Sequence, residues 1–356
     1  MARRHRAGTS VGHRVARIEE LVRGATGEEA FDLVFALVAA RVVSEREGVV
    51  LRSMQNARKG LRAARRAFPW ARLPADLDLA PDRLEPILGL VNGLPITEDG
   101  LDACFETLLT RVAKGQKGQY FTPRHVVDFA VRAVAPRAGE RVLDPACGSG
   151  AFLSRARRLA EVRPRGYDVD ARAVRTARLL FEACGHRADT IRHADALRIA
   201  RRPAADVVLT NPPFAGGADA SGFAVARLVA RAERDVLFLE ACLSWLRPGG
   251  RMAMVLPHGV AAAPRYAKLR AWLADQARVL AVVSLPQETF APHTQQRAVV
   301  LFLKRHEARA RDDRTRVLFA VSERAGKDRA GDPCLPGHDL DPGVLAGFLE
   351  AEGFHA

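Results

Sequence analysis

One short stretch limits the fold of this chain more than any other. The apolar run Val142-Leu143-Asp144 breaks into Pro145-Ala146-Cys147-Gly148-Ser149-Gly150 and then into an apolar-periodic segment from Ala151. That order reads as strand, glycine turn, helix. Glycines in such a turn let a ligand approach the backbone, and the helix after it offers free N–H groups. Two later short strands also end in acids, Gly166-Tyr167-Asp168 and Ile191-Arg192-His193-Ala194-Asp195. Asp168 falls about twenty residues after the glycine turn, where a ribose-binding acid belongs in a nucleotide-binding βαβ unit. Helix capping explains either acid taken alone. Their succession after a glycine turn favours a ligand crevice instead. Further strands end near Asn211, Pro257 and Leu285, and helices start from Ala151, Ala171 and about Ala224. Strands and helices in alternation predict an α/β fold built on a doubly wound, mostly parallel sheet.

The strand Val207-Val208-Leu209 runs into Thr210-Asn211-Pro212-Pro213-Phe214. Two consecutive prolines fix φ and remove two backbone donors. The bend can accept hydrogen bonds but scarcely donate them. Asn211 adds a side-chain carbonyl, and Phe214 adds an aromatic face. The set suits a flat ring carrying an amine, with two acceptors for the NH2 group and one stacking surface. An exocyclic amine on adenine is a poor nucleophile because its lone pair is delocalised. Accepting both N–H bonds, on Asn211 and on the Pro212 carbonyl, pushes the nitrogen toward tetrahedral geometry and frees that pair. Preorganised dipoles at a site of developing charge are usually the largest catalytic contribution. Asn-Pro-Pro is also an ordinary strand-ending turn, so the motif gains weight from the glycine turn upstream.

At this point the sequence resembles a known family. Asp144-Pro145-Ala146-Cys147-Gly148-Ser149-Gly150 followed by Asn211-Pro212-Pro213-Phe214 is similar to the S-adenosylmethionine-dependent amino-methyltransferases that act on adenine in DNA. Gly118-Gln119-Tyr120-Phe121-Thr122-Pro123-Arg124 narrows the likeness to the methylation subunit of type I restriction–modification systems. The runs Leu285 to Thr294 and Pro248-Gly249-Gly250-Arg251 fit as well. The resemblance covers about residues 30–305. It implies a Rossmann-like sheet of the class I methyltransferase type, with residues 298–304 as an antiparallel edge strand. It implies that Gln119, Tyr120, Phe121, Thr122, Pro123 and Arg124 embrace the methionine part of S-adenosylmethionine. Asp144 then faces the ammonium, with Pro145 and Ala146 in the same turn, and Gly148, Ser149 and Gly150 line the backbone side. Asp168 holds the ribose and Asp195 the adenine amine of the cofactor. Asn211, Pro212, Pro213 and Phe214 form the catalytic set around the target base. Phe214 stands where Tyr is commoner and Asp168 where Glu is commoner, which shortens the reach to the ribose. Cys147 is a small residue in a tight turn, not a nucleophile.

Three parts are expected along the chain: a helical region over residues 1–110, the methyltransferase domain over 111–305, and a short extension over 306–356 with one strand at 316–321 and a terminal helix. Residues 28–43 space their apolar positions by three and four, an amphipathic helix. Pro69, Pro74, Pro81 and Pro86 are expected to break the region between the second helical stretch and Leu101, where a helix resumes and runs to Val112. The net charge of +14 suits a polyanionic partner. The excess is almost all Arg in an Ala-rich chain, as a GC-rich coding sequence would give, so local clusters are better candidates. Arg58 to Arg66 could track phosphates along one helix or form a solvated face, and Lys114 to Lys117 adjoins the cofactor loop as a soluble hinge. Five cysteines, odd in number and without ligand spacing, predict a reduced protein with no metal site. His293 reads as a loop residue rather than a base or ligand. No apolar run reaches eighteen residues and no signal-peptide core comes after the basic N-terminus, so a cytoplasmic protein is expected.

The resemblance implies duplex DNA as partner, with the target adenine flipped out of the stack. No segment resembling a target-recognition domain comes after the core. A separate specificity subunit is therefore the expected source of site choice, with a restriction subunit as a further partner. Two alternatives stand beside this reading. One is methylation of a protein glutamine amide, which also uses Asn-Pro-Pro-aromatic; the segment from Gly118 to Arg124 weighs against it. The other is a subunit that binds cofactor without catalysing.

Overall fold

A computed structural model of the chain describes residues 10–26, 30–112, 121–200, 203–292, 294–307, 316–329 and 333–355. It divides into two compact units, one of residues 1–115 with 172–189, the other of 116–171 with 190–356.

The first unit is helical. It holds α1 (Val11–Thr26), α2 (Phe31–Arg46), α3 (Met54–Ala67), α4 (Pro81–Asn92) and α5 (Glu98–Val112). The expected amphipathic helix is α2, but it is buried on nearly every side, from Phe31 and Val34 through Ser44. A helix apolar all round belongs at the centre of its unit. Gly60 lets α3 press against it: a Cβ there would lie 3.0 Å from Ser44 Oγ and 3.4 Å from Ala40 Cβ. The exposed side of α3 carries Lys59, Arg62, Arg65 and Arg66. Pro86 does not break the chain as expected, since it sits inside α4. Both Pro86 and Asp82, whose carbonyl loses its helical partner, are exposed, so that carbonyl is open to solvent.

The second unit runs α6 (Arg124–Val134), β1 (Arg141–Asp144), α7 (Ala151–Leu159) and β2 (Arg163–Asp168). The chain then forms α8 (Ala171–Ala183), most of which belongs to the helical unit. There Arg175 pairs with Asp32 at 2.5 Å and its guanidinium lies 4.5 Å from the Phe35 ring centroid. Next in order are β3 (Ile191–His193), β4 (Ala205–Thr210), α9 (Arg234–Trp245), β5 (Leu246–Pro257), α10 (His258–Ala262), α11 (Ala267–Gln276), β6 (Ala277–Ser284) and β7 (Ala298–Arg305). The extension adds β8 (Leu318–Val321), β9 (Ala325–Lys327), β10 (Pro333–His338) and α12 (Gly343–Ala351). The expected helix from about Ala224 is instead a single 3-10 turn at Val225–Arg227, and α9 starts only at Arg234. Gly216 at φ +113° and Gly222 at φ +81° keep the segment before this turn out of a helix.

Eight strands form one sheet in the order β3-β2-β1-β4-β5-β7-β6-β8. β7 runs antiparallel to both β5 and β6. It is therefore not the edge expected for it; β8 takes that place, parallel to β6. The reason is in the residues: Ala298 through Leu303 are all buried, as a strand covered on both faces requires. β9 and β10 pair as a separate antiparallel hairpin. The strand order reverses between β1 and β4. In open α/β sheets, ligands bind at such a reversal, outside the carboxyl ends of the strands. Asp144 and Thr210 end the two strands that flank it.

Candidate functional site

β1 delivers Asp144 to the reversal point almost fully buried, at 1% exposure. Its Oδ1 accepts from Thr210 Oγ1 at 2.7 Å and from Ala146 N at 3.1 Å. Burial pushes this carboxyl up to about 7, against the pull of those two hydrogen bonds and with a further push from the charge of Asp168. The glycine turn is pinned to β2 where Cys147 N donates to Tyr167 O at 2.9 Å, and it closes on itself where Gly150 N donates to Cys147 O at 2.8 Å. Gly148 and Gly150 hold φ of +52° and +89°, which an L side chain rarely adopts. A Cβ on Gly148 would meet nothing within 4 Å, so the space beside that backbone is open. Burial raises the Cys147 thiol well above its ordinary value, which leaves it inert.

Asp168, at the end of β2, accepts from Gly148 N at 2.9 Å on one oxygen and from Asp170 N at 2.9 Å on the other. Burial raises its carboxyl, again against those hydrogen bonds. The expected ribose acid thus fixes the glycine turn in this structure. Asp195 lies just past β3 and caps the 3-10 turn at Ala196–Arg198, accepting from Leu197 N at 3.0 Å. It also lies 3.6 Å from Arg198 Nε. The capping role weighed from sequence is the one it plays here.

Past β4, Asn211 turns its Nδ2 to donate to Thr122 Oγ1 at 2.9 Å. Its Oδ1 is buried and has no hydrogen-bond partner among the described residues. A buried carbonyl left without a donor is costly, so an orphan of this kind needs an explanation. Pro212 is buried and Pro213 half-buried. Phe214 does not offer an open face: it is 2% exposed and packs edge-on against Phe290, with centroids 5.8 Å apart and planes at 78°. Such edge-to-face pairing is favourable between aromatic rings. Phe121, Thr122, Pro123 and Arg124 lead into α6, with Pro123 at its N-cap. Gln119, Tyr120, the segment Lys114 to Lys117 and His293 lie outside the described residues.

The structure joins expected site residues directly in two hydrogen bonds, Asp168 to Gly148 and Asn211 to Thr122, and ties Asp144 to Thr210, the residue before Asn211. Asp195 stands apart at β3. Sequence reasoning left Thr210 and Phe290 without a role. Both sit in stretches it singled out, but only the fold shows which atoms they touch. Among the described residues no cluster of His, Cys, Asp and Glu has the makings of a metal site, and no helix is long and apolar enough to cross a membrane.

The family described as N-6 DNA Methylase matches residues 97–331. The chain is 29% identical to the type I restriction enzyme EcoEI methylase subunit of Escherichia coli over 213 residues, which are 53% of this chain and 42% of that protein. It is 32% identical over 150 residues to a tRNA (guanine(10)-N2)-dimethyltransferase of Methanothermobacter thermautotrophicus, covering 41% and 43% of the two chains. The chain spans under half the length of these curated relatives. Among solved structures, the type I restriction-modification system methyltransferase subunit from Streptococcus thermophilus superposes with a TM-score of 0.65 at 16% identity. That match covers 97% of this chain and 93% of the other.

Proposed function

This chain belongs to the N-6 DNA methylase family, and we propose that it transfers a methyl group from S-adenosylmethionine to the N6 amine of adenine in DNA, as the modification subunit of a type I-like restriction–modification system. The observation that carries the reading is the orphaned Asn211 Oδ1, buried at the strand-order reversal beside an acid-lined glycine turn. An acceptor with no donor among the described residues is what an incoming NH2 group needs.

The residues fit the methyl donor. Open space beside Gly148, with Asp144 and Asp168 at successive strand ends, suits a ligand with a cationic amino-acid end and a ribose. Asp144 would face the ammonium and Asp168 the ribose hydroxyls, with Phe121 to Arg124 around the methionine part and Asp195 near the donor's adenine. When bound, S-adenosylmethionine supplies a sulfonium-activated methyl group. The chain's own part is positioning and electrostatics. Asn211 Oδ1 and the Pro212 carbonyl accept the two N–H bonds of the target amine and free its lone pair. Pro212 and Pro213 present no competing N–H. Holding the amine in line supplies much of the rate, and the surplus amine proton leaves to water. Stacking on Phe214, worth roughly 1–3 kcal/mol per base, offsets part of the cost of flipping. Admitting a base there requires the edge of Phe290 to give way.

The division into a helical region (1–110), a methyltransferase domain (111–305) and an extension (306–356) belongs to the same proposal. So does a separate specificity subunit, because the relatives are named as subunits of larger enzymes. A restriction subunit is a further partner. A cytoplasmic location goes with the proposed substrate, chromosomal DNA. The test is long-read detection of modified bases in cells with and without the gene. N6-methyladenine at a defined motif should vanish on deletion, and an unchanged adenine methylation pattern would refute the reading. Methyl label appearing in protein glutamine would favour the other substrate class.

A further inference from the structure

The geometry points to Thr122 as the positioning residue that sets which end of the Asn211 carboxamide faces the target amine, an inference that rests on the adenine-methylating reading. A carboxamide has two ends of nearly equal size and opposite hydrogen-bonding sense. Only one orientation serves the proposed chemistry. With Oδ1 toward the site, the group accepts an N–H of the substrate amine. Turned over, it presents an NH2 to an NH2, and the clamp becomes a repulsion. Something in the protein must choose.

Thr122 is placed to do so. It precedes Pro123, which restricts it to extended backbone, and Pro123 in turn caps α6, with Val126 N and Val127 N both bonded to its carbonyl. The hydroxyl is therefore delivered from a fixed helix start rather than from a mobile loop. Its Oγ1 accepts from Asn211 Nδ2 at 2.9 Å, and this bond leaves Oδ1 as the buried atom with no partner among the described residues. On the other side, the preceding residue, Thr210, donates to Asp144 Oδ1 at 2.7 Å, so the backbone of Asn211 has little freedom to compensate.

A hydroxyl has one proton and two lone pairs. When that proton is given to an acceptor on a bound methyl donor, Oγ1 can only accept, and only Nδ2 can answer it. Occupancy of the donor site then locks the amide in the orientation that receives the base. Thr122 thereby links the two halves of the site through one oxygen.

The experiment compares wild-type, Thr122→Val and Thr122→Ser in the complete complex with its specificity partner. Valine keeps the shape and removes the oxygen; serine keeps the oxygen. Three quantities are measured: kcat on duplex DNA, KM for that DNA, and the dissociation constant of S-adenosylmethionine by calorimetry. Valine should lower kcat on the order of tenfold to a hundredfold, the range expected for an unsatisfied buried polar group. Donor affinity should weaken by roughly threefold to tenfold, the loss of the one hydrogen bond that Thr122 gives the donor, and serine should recover most of both losses. Wild-type kcat in Thr122→Val overturns the inference. So does a serine variant as impaired as valine, or a loss found wholly in donor affinity. Should valine not fold, Thr122→Ala replaces it in the same comparison with serine. A wild-type complex that methylates no adenine would instead sink the functional reading, a result separable from all of these.

Discussion

Removing the Arg251 side chain should cost more stability than almost any other single change outside the apolar core. Arg251 lies on β5 at 4% exposure and spends its whole guanidinium on three partners. Nε donates to Val134 O at 2.8 Å, and Nη2 donates to Ala135 O at 2.8 Å. The two Nη atoms grip Glu140 at 2.7 and 2.9 Å. The side chain thus ties the end of α6, where Ala135 holds a left-handed φ of 48°, and the turn before β1 to the centre of the sheet. In Arg251→Met the length remains, while two carbonyls lose their donor and a largely buried carboxylate loses its counter-charge. Breaking such a pair from one side costs about 3–5 kcal/mol. For a unit of this size that is a fall in Tm of roughly 10 °C. Differential scanning fluorimetry and urea titration at pH 7.5 would measure it. Arg251→Met/Glu140→Leu should recover a good part of the loss, because no lone charge then stays buried. pH supplies a second check. Burial raises the Glu140 carboxyl, but the hydrogen bonds from Arg251 and Arg137 N outweigh it and hold the group below its ordinary 4.5. A depressed carboxylate stabilises above its unfolded pKa and loses that contribution as pH falls through the folded value. The gap between wild type and Arg251→Met should therefore narrow as pH falls from 4.5 through the lower folded value, leaving the part due to the two stranded carbonyls. A variant within about 1 kcal/mol of wild type at pH 7.5, well short of that cost, would refute this view of the clamp.

Donor binding should trace a bell in pH. Asp144, pushed to about 7 by burial, is favoured as a carboxylate beside an ammonium, so binding releases its proton and tightens as pH rises through that value. An α-amino group loses its own proton near 7.7–8.0, so affinity should fall again above about pH 8. Calorimetry of Asp144→Asn should show the lower limb gone. Phe214→Leu keeps apolar volume in the interior and removes the stacking face; kcat/KM on DNA should drop by roughly 5- to 150-fold, the worth of one base–aromatic contact, with donor affinity unchanged. Gly166→Ala places a Cβ 2.8 Å from Ile191 Cδ1 and 3.0 Å from Cys147 Sγ. Overpacking of this kind costs about 1–3 kcal/mol, and it should also weaken donor binding, since Cys147 shapes the glycine turn. A melting temperature equal to wild type would contradict that packing.

Much of the site was legible because its parts are local. The glycine turn, the acids at strand ends and the proline pair each declare themselves within a few residues, and the fold brings the first and last of them to the reversal between β1 and β4. The parts that escaped are long-range. Thr210 meets Asp144 across 66 residues and Asn211 meets Thr122 across 89, and periodicity carries no trace of either bond. Phe214 was expected open but is covered, because the ring that meets it belongs to the turn after β6. The unbroken apolar run of β7 marks a strand buried on both faces, which an edge strand is not. α2 likewise carries apolar residues between its three- and four-spaced positions, which makes it a central helix rather than an amphipathic one.

The central claim is that a donor-poor bend holds an exocyclic amine for methylation. Incubating the chain and its specificity partner with duplex DNA and methyl-labelled S-adenosylmethionine, then separating the nucleosides by mass spectrometry, tests it most directly. The account predicts label in N6-methyladenine with wild type and none above background with Asn211→Ala, at equal donor affinity. Label in a cytosine derivative, or undiminished N6-methyladenine from Asn211→Ala, would contradict it.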